Sequence, residues 1–255
     1  MLSLLAALAP FAARAQQADR VPPASRDAEI LWHEAPTLAP IQLIFPEGFS
    51  RERSWPLVVA LHGYGGSAAR FRRVGDRLAA AGFVVALPEA TYPTPTAGGI
   101  GFDWTLMRQG DPAVGARATR LLVERYLPEA VADIRRRYAI DRVFVLGFSQ
   151  GALVALLTGV RNDTVFDGAV GFGLPAFQPA WLGDDGRAGP HSPPVLLLHG
   201  ADDDRAPVAV SRAARDSLSA AGFDITFRQF AGGHVVPGDQ LALAARWMLN
   251  QGRAR

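Results

Sequence analysis

Two residue types are missing altogether. The 255-residue chain has no cysteine, which excludes disulfides, thiolate nucleophiles and Cys-ligated zinc. It has no lysine either, since all 26 basic residues are arginine. A phosphate-cradling loop of the Gly-Lys-Ser/Thr kind is therefore excluded, however glycine-rich the turns. Arginine stays protonated to very high pH, so a net charge of only +2 coexists with a pI near 9.5. That pI does not point to nucleic acid. The densest basic runs, Arg70-Phe71-Arg72-Arg73 and Arg135-Arg136-Arg137, lie in amphipathic helical patterns and read as solvated faces. No pair of histidines has metal-ligand spacing with a carboxylate nearby, so neither metal nor cofactor is expected. The apolar run of the first residues is too short to span a bilayer as an anchor, and nothing later in the chain looks transmembrane.

Apolar residues are plentiful, at 49% of the chain against 20% charged, enough for one domain with a sheet buried on both faces. Leu2 to Ala13 is an apolar run, and Ala13-Arg14-Ala15 before Gln16 has the small-x-small form of a signal-peptidase site. Residues 1–15 read as an export signal, although no basic residue precedes the apolar run, and an exported protein without a membrane anchor is expected. Residues 16–27, with Pro22-Pro23, read as a flexible lead-in. The domain is expected over 28–255.

From there strand-like runs alternate with helical patterns. The strands are expected at Ile41–Phe45, Pro56–Leu61, Phe83–Leu87, Arg142–Phe148, Gly168–Phe172, Val195–His199 and Ile225–Phe230. The helices are expected at Ala68–Ala81, Arg117–Tyr138, Gly151–Val160, Val208–Ala221 and Gln240–Asn250, with Pro128 breaking or kinking the second. This alternation predicts an α/β fold with a doubly wound, mostly parallel sheet flanked by helices. Thr91–Ala113 and Leu174–Pro194 read as long irregular loops at the carboxyl edge of the sheet, where open α/β sheets bind ligands.

The strongest chemical signal is Gly147-Phe148-Ser149-Gln150-Gly151, between the apolar strand Val143–Leu146 and the helical run Ala152–Leu157. A serine on so sharp a strand-to-helix turn is forced outward as a nucleophile, and the helix N-terminus behind it favours developing negative charge. A serine hydroxyl needs a base and a group that orients the base. On such an elbow the acid and then the histidine follow in chain order. His234, in Ala231-Gly232-Gly233-His234-Val235, is the histidine placed to be the base. Asp202, Asp203 and Asp204 follow the strand Leu196–His199, and residue chemistry alone leaves all three open as the acid. Val58–Leu61 runs into His62-Gly63-Tyr64-Gly65-Gly66-Ser67, a turn that can offer a backbone N–H to a reacting carbonyl. Tyr64 and Gln150 are expected to supply the two oxyanion donors. His62 and His199 each end a strand before a glycine and read as loop braces. Phe102, Trp104, Phe172, Leu174 and Phe177, on or beside the long loops, are candidates for an apolar substrate wall.

With these segments in place, the chain resembles the phospholipase/carboxylesterase branch of the α/β-hydrolases, which includes acyl-protein thioesterase-like enzymes. The resemblance spans roughly Pro56 to Trp247. It rests on Leu61-His62-Gly63-Tyr64-Gly65-Gly66 as the oxyanion loop, on the Gly147–Gly151 elbow, and on Gly233-His234. The His-Gly-x-x-Asp pattern of these enzymes places the acid on Asp203. The resemblance implies a serine esterase or thioesterase working through Ser149, Asp203 and His234 on a small-molecule ester. The chain departs from the usual pattern at Ala206-Pro207, where Val-Pro is the norm. It departs also in the export signal and the two long loops, which intracellular thioesterases of this branch do not need, and exported relatives resembling polyhydroxybutyrate depolymerases and feruloyl esterases share the His-Gly-x-Gly-Gly-Ser-like loop. A serine peptidase and a non-catalytic binding module on the same scaffold are the rival readings, and oligomeric state is left open.

Overall fold

β-Branched and leucine-rich strands lie between helices whose apolar faces close over them, and the register of those strands sorts the side chains into two cores. The computed structural model describes residues 33–34, 38–108, 111–182 and 186–252, and the compact unit runs over Leu38–Arg255. The expected signal (1–15), the lead-in (16–27) and the domain start near Ala28 lie outside the described residues. The strands are β1 Ile41–Ile44, β2 Trp55–Leu61, β3 Val84–Pro88, β4 Tyr92–Thr96, β5 Gly99–Asp103, β6 Ile140–Phe148, β7 Gly168–Phe172, β8 Val195–Gly200 and β9 Ile225–Phe230. The α-helices are α1 Ala68–Ala80, α2 Pro112–Leu121, α3 Leu127–Arg135, α4 Gln150–Arg161, α5 Val208–Ala220 and α6 Gly238–Asn250. No helix among the described residues is long and apolar enough to cross a membrane.

Seven strands form one sheet in the order β1-β3-β2-β6-β7-β8-β9. Only β1 is antiparallel to its neighbour. Side chains alternate between faces along a strand, so Leu57, Val59 and Leu61 of β2 join one core while Val58 and Ala60 join the other. The first core is closed by α3, α4 and α5 through residues such as Leu127, Ile134, Leu153 and Leu218. The second is closed by α1 and α6 through Phe71, Leu78, Leu241 and Met248. The chain winds from β2 outward to β3 and later returns to the other side of β2 as β6, so the direction of winding reverses between those strands. The crevice beyond their carboxyl ends is where a doubly wound sheet accommodates a ligand.

Two expectations need correction. The stretch Thr91–Ala113 is not irregular: β4 and β5 form an antiparallel hairpin with Pro93 opposite Phe102 and Pro95 opposite Ile100. Counting back from the two-residue turn between Thr96 and Gly99, both prolines fall at pairs whose backbone groups face away from the partner strand. Proline's missing N–H therefore costs no ladder bond. The second helical stretch begins at Pro112, behind the cap Asp111, whose side chain accepts from Ala113 N–H. Pro128 does not end it. A single wider turn, Leu122–Tyr126, precedes α3, and Leu127 N–H donates to Leu122 C=O. Pro128 lacks an N–H and its ring would crowd the carbonyl four residues back, so the helix bulges there instead of breaking.

Candidate active site

Ser149 follows β6 directly and caps α4 with φ 54° and ψ −119°. A non-glycine residue held in that region costs on the order of 1–3 kcal/mol and persists only where its surroundings impose it. Here the surroundings are tight: a Cβ on Gly147 would overlap the Gly151 carbonyl, and one on Gly151 would overlap those of Leu61 and His62. The elbow is pinned further by Ser149 N–H donating 2.8 Å to Phe172 C=O and by its own carbonyl accepting from Ala152 N–H at 2.8 Å. Helix α4 is buried along almost its whole length, which anchors the elbow from below.

Asp203 lies in the turn after β8. One carboxylate oxygen accepts the N–H groups of Arg205 at 3.0 Å and Ala206 at 2.8 Å. The other is 2.7 Å from Nδ1 of His234, in the loop after β9. The carboxylate is out of contact with solvent and the imidazole nearly so. Burial pushes the Asp203 carboxyl upward, but the bond from His234 and the two backbone N–H groups outweigh it and hold it below the usual range. A carboxylate can only accept, so Nδ1 of His234 carries the proton and Nε2 is left with a lone pair. The ring of His234 lies against Phe148, with centroids 4.7 Å apart, one residue from Ser149. Gly173, at φ 61°, permits this approach, since a Cβ there would sit 3.1 Å from the imidazole and 3.4 Å from the Asp203 carboxylate.

His62, just after β2, and His199, near the end of β8, brace loops. His199 Nε2 is 2.7 Å from Ala206 C=O and 3.2 Å from Asp203 Oδ2, both acceptors, and Nδ1 is 2.7 Å from the Ser211 hydroxyl. His199 therefore holds its proton on Nε2 and steadies the turn that carries Asp203. His62 Nδ1 is 2.8 Å from Gly63 C=O, and Nε2 is 3.0 Å from Glu89 Oε1. Burial lowers the His62 pKa, against the raising pull of Gly63 and Glu89.

The loop after β2 runs beside the elbow. Gly65 N–H donates to Phe102 C=O at 2.9 Å and Phe102 N–H to Gly66 C=O at 3.0 Å, which stitches the loop to β5. The N–H groups of Tyr64 and Gln150 donate to no carbonyl or side chain among the described residues. The Tyr64 side chain faces outward, its hydroxyl 3.2 Å from Thr94 Oγ1 and its ring under the Arg108 guanidinium. A cleft of about 240 Å3 opens against this loop, lined by Gly63, Tyr64, Gly65, Arg70, Phe71 and Phe148.

The expected apolar wall is placed differently. Trp104, Phe172 and Leu174 are each 0% exposed and belong to the two cores, so their side chains present no surface to the cleft. Phe102 and Phe177 are half-buried against the same core. Aromatic residues near long loops suggest a binding wall, but burial is decided by distant packing that no local pattern carries. Sequence reasoning missed the Gln150 side chain, which donates to Asp103 Oδ1 at 2.6 Å and accepts Trp104 N–H at 3.1 Å. The available signal was an aspartate set between two aromatics, Phe102-Asp103-Trp104, in a segment otherwise poor in charge.

A doubly wound sheet with one antiparallel edge strand and a strained serine turn between strand and buried helix defines an α/β-hydrolase. The chain belongs to the phospholipase/carboxylesterase family, whose model matches residues 49–249. Among solved structures it is similar to esterase PE8, with a TM-score of 0.68 and 24% identity over 85% of this chain and 100% of that one. It is also similar to Zea mays acyl-protein thioesterase 2, with a TM-score of 0.62 and 20% identity over 83% of this chain and 98% of that one. A CE1 ferulic acid esterase from Anaeromyces mucronatus in complex with ferulic acid gives 0.57 and 15% identity, covering 84% and 85%. At these identities the structures establish the shared fold.

Proposed function

We propose that this protein is a serine hydrolase that cleaves carboxylic esters or thioesters of small molecules through an acyl-enzyme. The observation that carries the reading is the 2.7 Å bond from His234 to the buried Asp203, with the His234 ring against Phe148, the residue before a serine held at φ 54°. Ser149 Oγ attacks the substrate carbonyl carbon as His234 Nε2 takes its proton, giving a tetrahedral adduct whose oxyanion is received by the Tyr64 and Gln150 N–H groups. Collapse expels the alcohol or thiol, protonated by the imidazolium, and leaves Ser149 acylated. Water, deprotonated by the same nitrogen, then attacks the acyl carbon, and the acid leaves with the serine restored. Asp203 stays ionised throughout, holding the tautomer and stabilising the imidazolium. An exported enzyme is part of the same reading, carried by the apolar run Leu2–Ala13 before Ala13-Arg14-Ala15.

An activity-based phosphonate tests the nucleophile. Peptide mapping should place the label on Ser149 and on no other residue. Ser149→Ala should fold and lose turnover by on the order of a million-fold, and retention of more than about a thousandth of wild-type turnover would exclude this mechanism. Turnover across aryl esters, thioesters, polyesters and peptides would then define the substrate class.

A further inference from the structure

We propose that Asp103 is a positioning residue for this reaction: it holds the Gln150 amide so that the end of β5 sets the separation of the two oxyanion donors. The inference rests on the serine hydrolase reading above. Asp103 is 0% exposed. Its Oδ1 accepts from Gln150 Nε2 at 2.6 Å, from Thr105 N–H at 2.9 Å and from Thr105 Oγ1 at 3.4 Å. Its Oδ2 is buried and has no hydrogen-bond partner among the described residues. A neutral asparagine could make the same contacts through its carbonyl, so an ionised side chain with one oxygen unpaired is an expensive choice for a mere tie.

The carboxylate gives what an amide does not, a charge-assisted acceptor that fixes which way Gln150 points. Nε2 must face Asp103, so Oε1 faces Trp104 N–H, which it accepts at 3.1 Å, and Nε2 also reaches Thr105 Oγ1 at 3.0 Å. Gln150 is thus tied to three successive residues at the end of the hairpin, and its own backbone N–H is one of the two oxyanion donors. The other donor is tied to the same place. Phe102, opposite Pro93 and with backbone groups turned outward, bonds Gly65 and Gly66 beside Tyr64, and Trp104 Nε1 donates to His62 C=O at 2.8 Å. Residues 102–104 therefore clamp the oxyanion loop on one side and the elbow on the other. Donors to an oxyanion act only when fixed before the charge develops, and a clamp common to both fixes their spacing.

The brace predicts a loss confined to the transition state. Asp103→Asn and Gln150→Met, the latter keeping side-chain length and backbone N–H but not the amide, should each lower kcat by about 10- to 100-fold with KM changed less than about two-fold. Affinity for an aryl trifluoromethyl ketone, whose adduct carries the oxyanion, should fall by the same factor as kcat/KM. The double variant should be no slower than either single one, because both remove one linkage. Rates are referred to active sites counted by phosphonate labelling, so unfolded material does not imitate the effect; should Asp103→Asn not fold, Gln150→Met alone carries the test. Unchanged kcat in the folded variants, a loss residing in KM, or multiplicative losses in the double variant would overturn the brace. Absence of label on wild-type Ser149 would overturn the hydrolase reading itself, so the two failures are distinguishable.

Discussion

Asp203 is surrounded by donors, with Arg205 and Ala206 N–H groups on one oxygen and His234 on the other. Asp202 and Asp204, its immediate neighbours, are exposed. In sequence the three are indistinguishable, because what separates them is a turn that folds one carboxylate under the chain and leaves two in water. The difference is measurable. Asp203→Asn should lower kcat/KM for an ester by about four orders of magnitude, because an amide can present its NH2 to Nδ1 and stabilise the wrong imidazole tautomer. Asp202→Asn and Asp204→Asn should each change it by less than about three-fold, as befits solvated surface charges. A large loss at either neighbour with little at Asp203 would reassign the acid. The same contrast applies to the histidines. His62, His199 and His234 all border glycine-containing turns, but in the first two both ring nitrogens face groups of the protein, whereas among the described residues His234 is engaged through Nδ1 alone, by Asp203.

At the scale of elements, the hairpin β4–β5 carries more than its two short strands suggest. Trp104, at its end, is fully buried, donates to His62 C=O and has its ring 4.8 Å from the His62 ring. It is a strut between the hairpin and the loop after β2, so Trp104→Ala should destabilise the fold by about 3–5 kcal/mol, lowering Tm by roughly 10 °C in a domain of this size. Thermal unfolding followed by circular dichroism checks this. An unchanged Tm with an altered acyl-length preference would restore Trp104 to the substrate wall. The inner strands of the main sheet were legible because they are buried on both faces and so read as unbroken apolar runs, as in Val143–Leu146 and Val195–Leu198. The serine elbow was legible because its glycines are required by contacts within a few residues. The hairpin was not legible, since Pro93 and Pro95 look incompatible with a strand until the pairing shows which backbone groups need no partner. The Asp103–Gln150 contact joins residues 47 apart in sequence, and no local pattern announces it.

Across the whole molecule, the missing residue types shape how stability responds to alkali. Cysteine and lysine titrate in the alkaline range in most proteins, and this chain has neither, while arginine does not deprotonate there. The alkaline limb therefore belongs to the four tyrosines. Two of them are perturbed. Burial, with the Glu89 charge second, pushes the Tyr126 hydroxyl up to about 12 from 10.0. Burial and then the Asp103 charge raise Tyr92 as well. A raised phenol keeps its proton in the folded state after the unfolded chain has released it, so the unfolded state binds fewer protons and stability falls as pH rises. The contribution is complete below pH 10 and is lost as the pH climbs through the folded-state value near 12. Urea midpoints should accordingly stay level from about pH 8 to 9, below the value at which Tyr92 and Tyr126 ionise in the unfolded chain, and fall beyond about pH 10. Tyr126 makes the attribution testable, because its hydroxyl is buried with no hydrogen-bond partner among the described residues. Removing an unsatisfied buried hydroxyl costs nothing in hydrogen bonding. Tyr126→Phe should match or exceed wild-type stability at pH 7 and lose less of it between pH 9 and 11.5. A variant weaker at pH 7, or one whose alkaline decline parallels the wild type, would show that the Tyr126 hydroxyl is not what links this fold to pH.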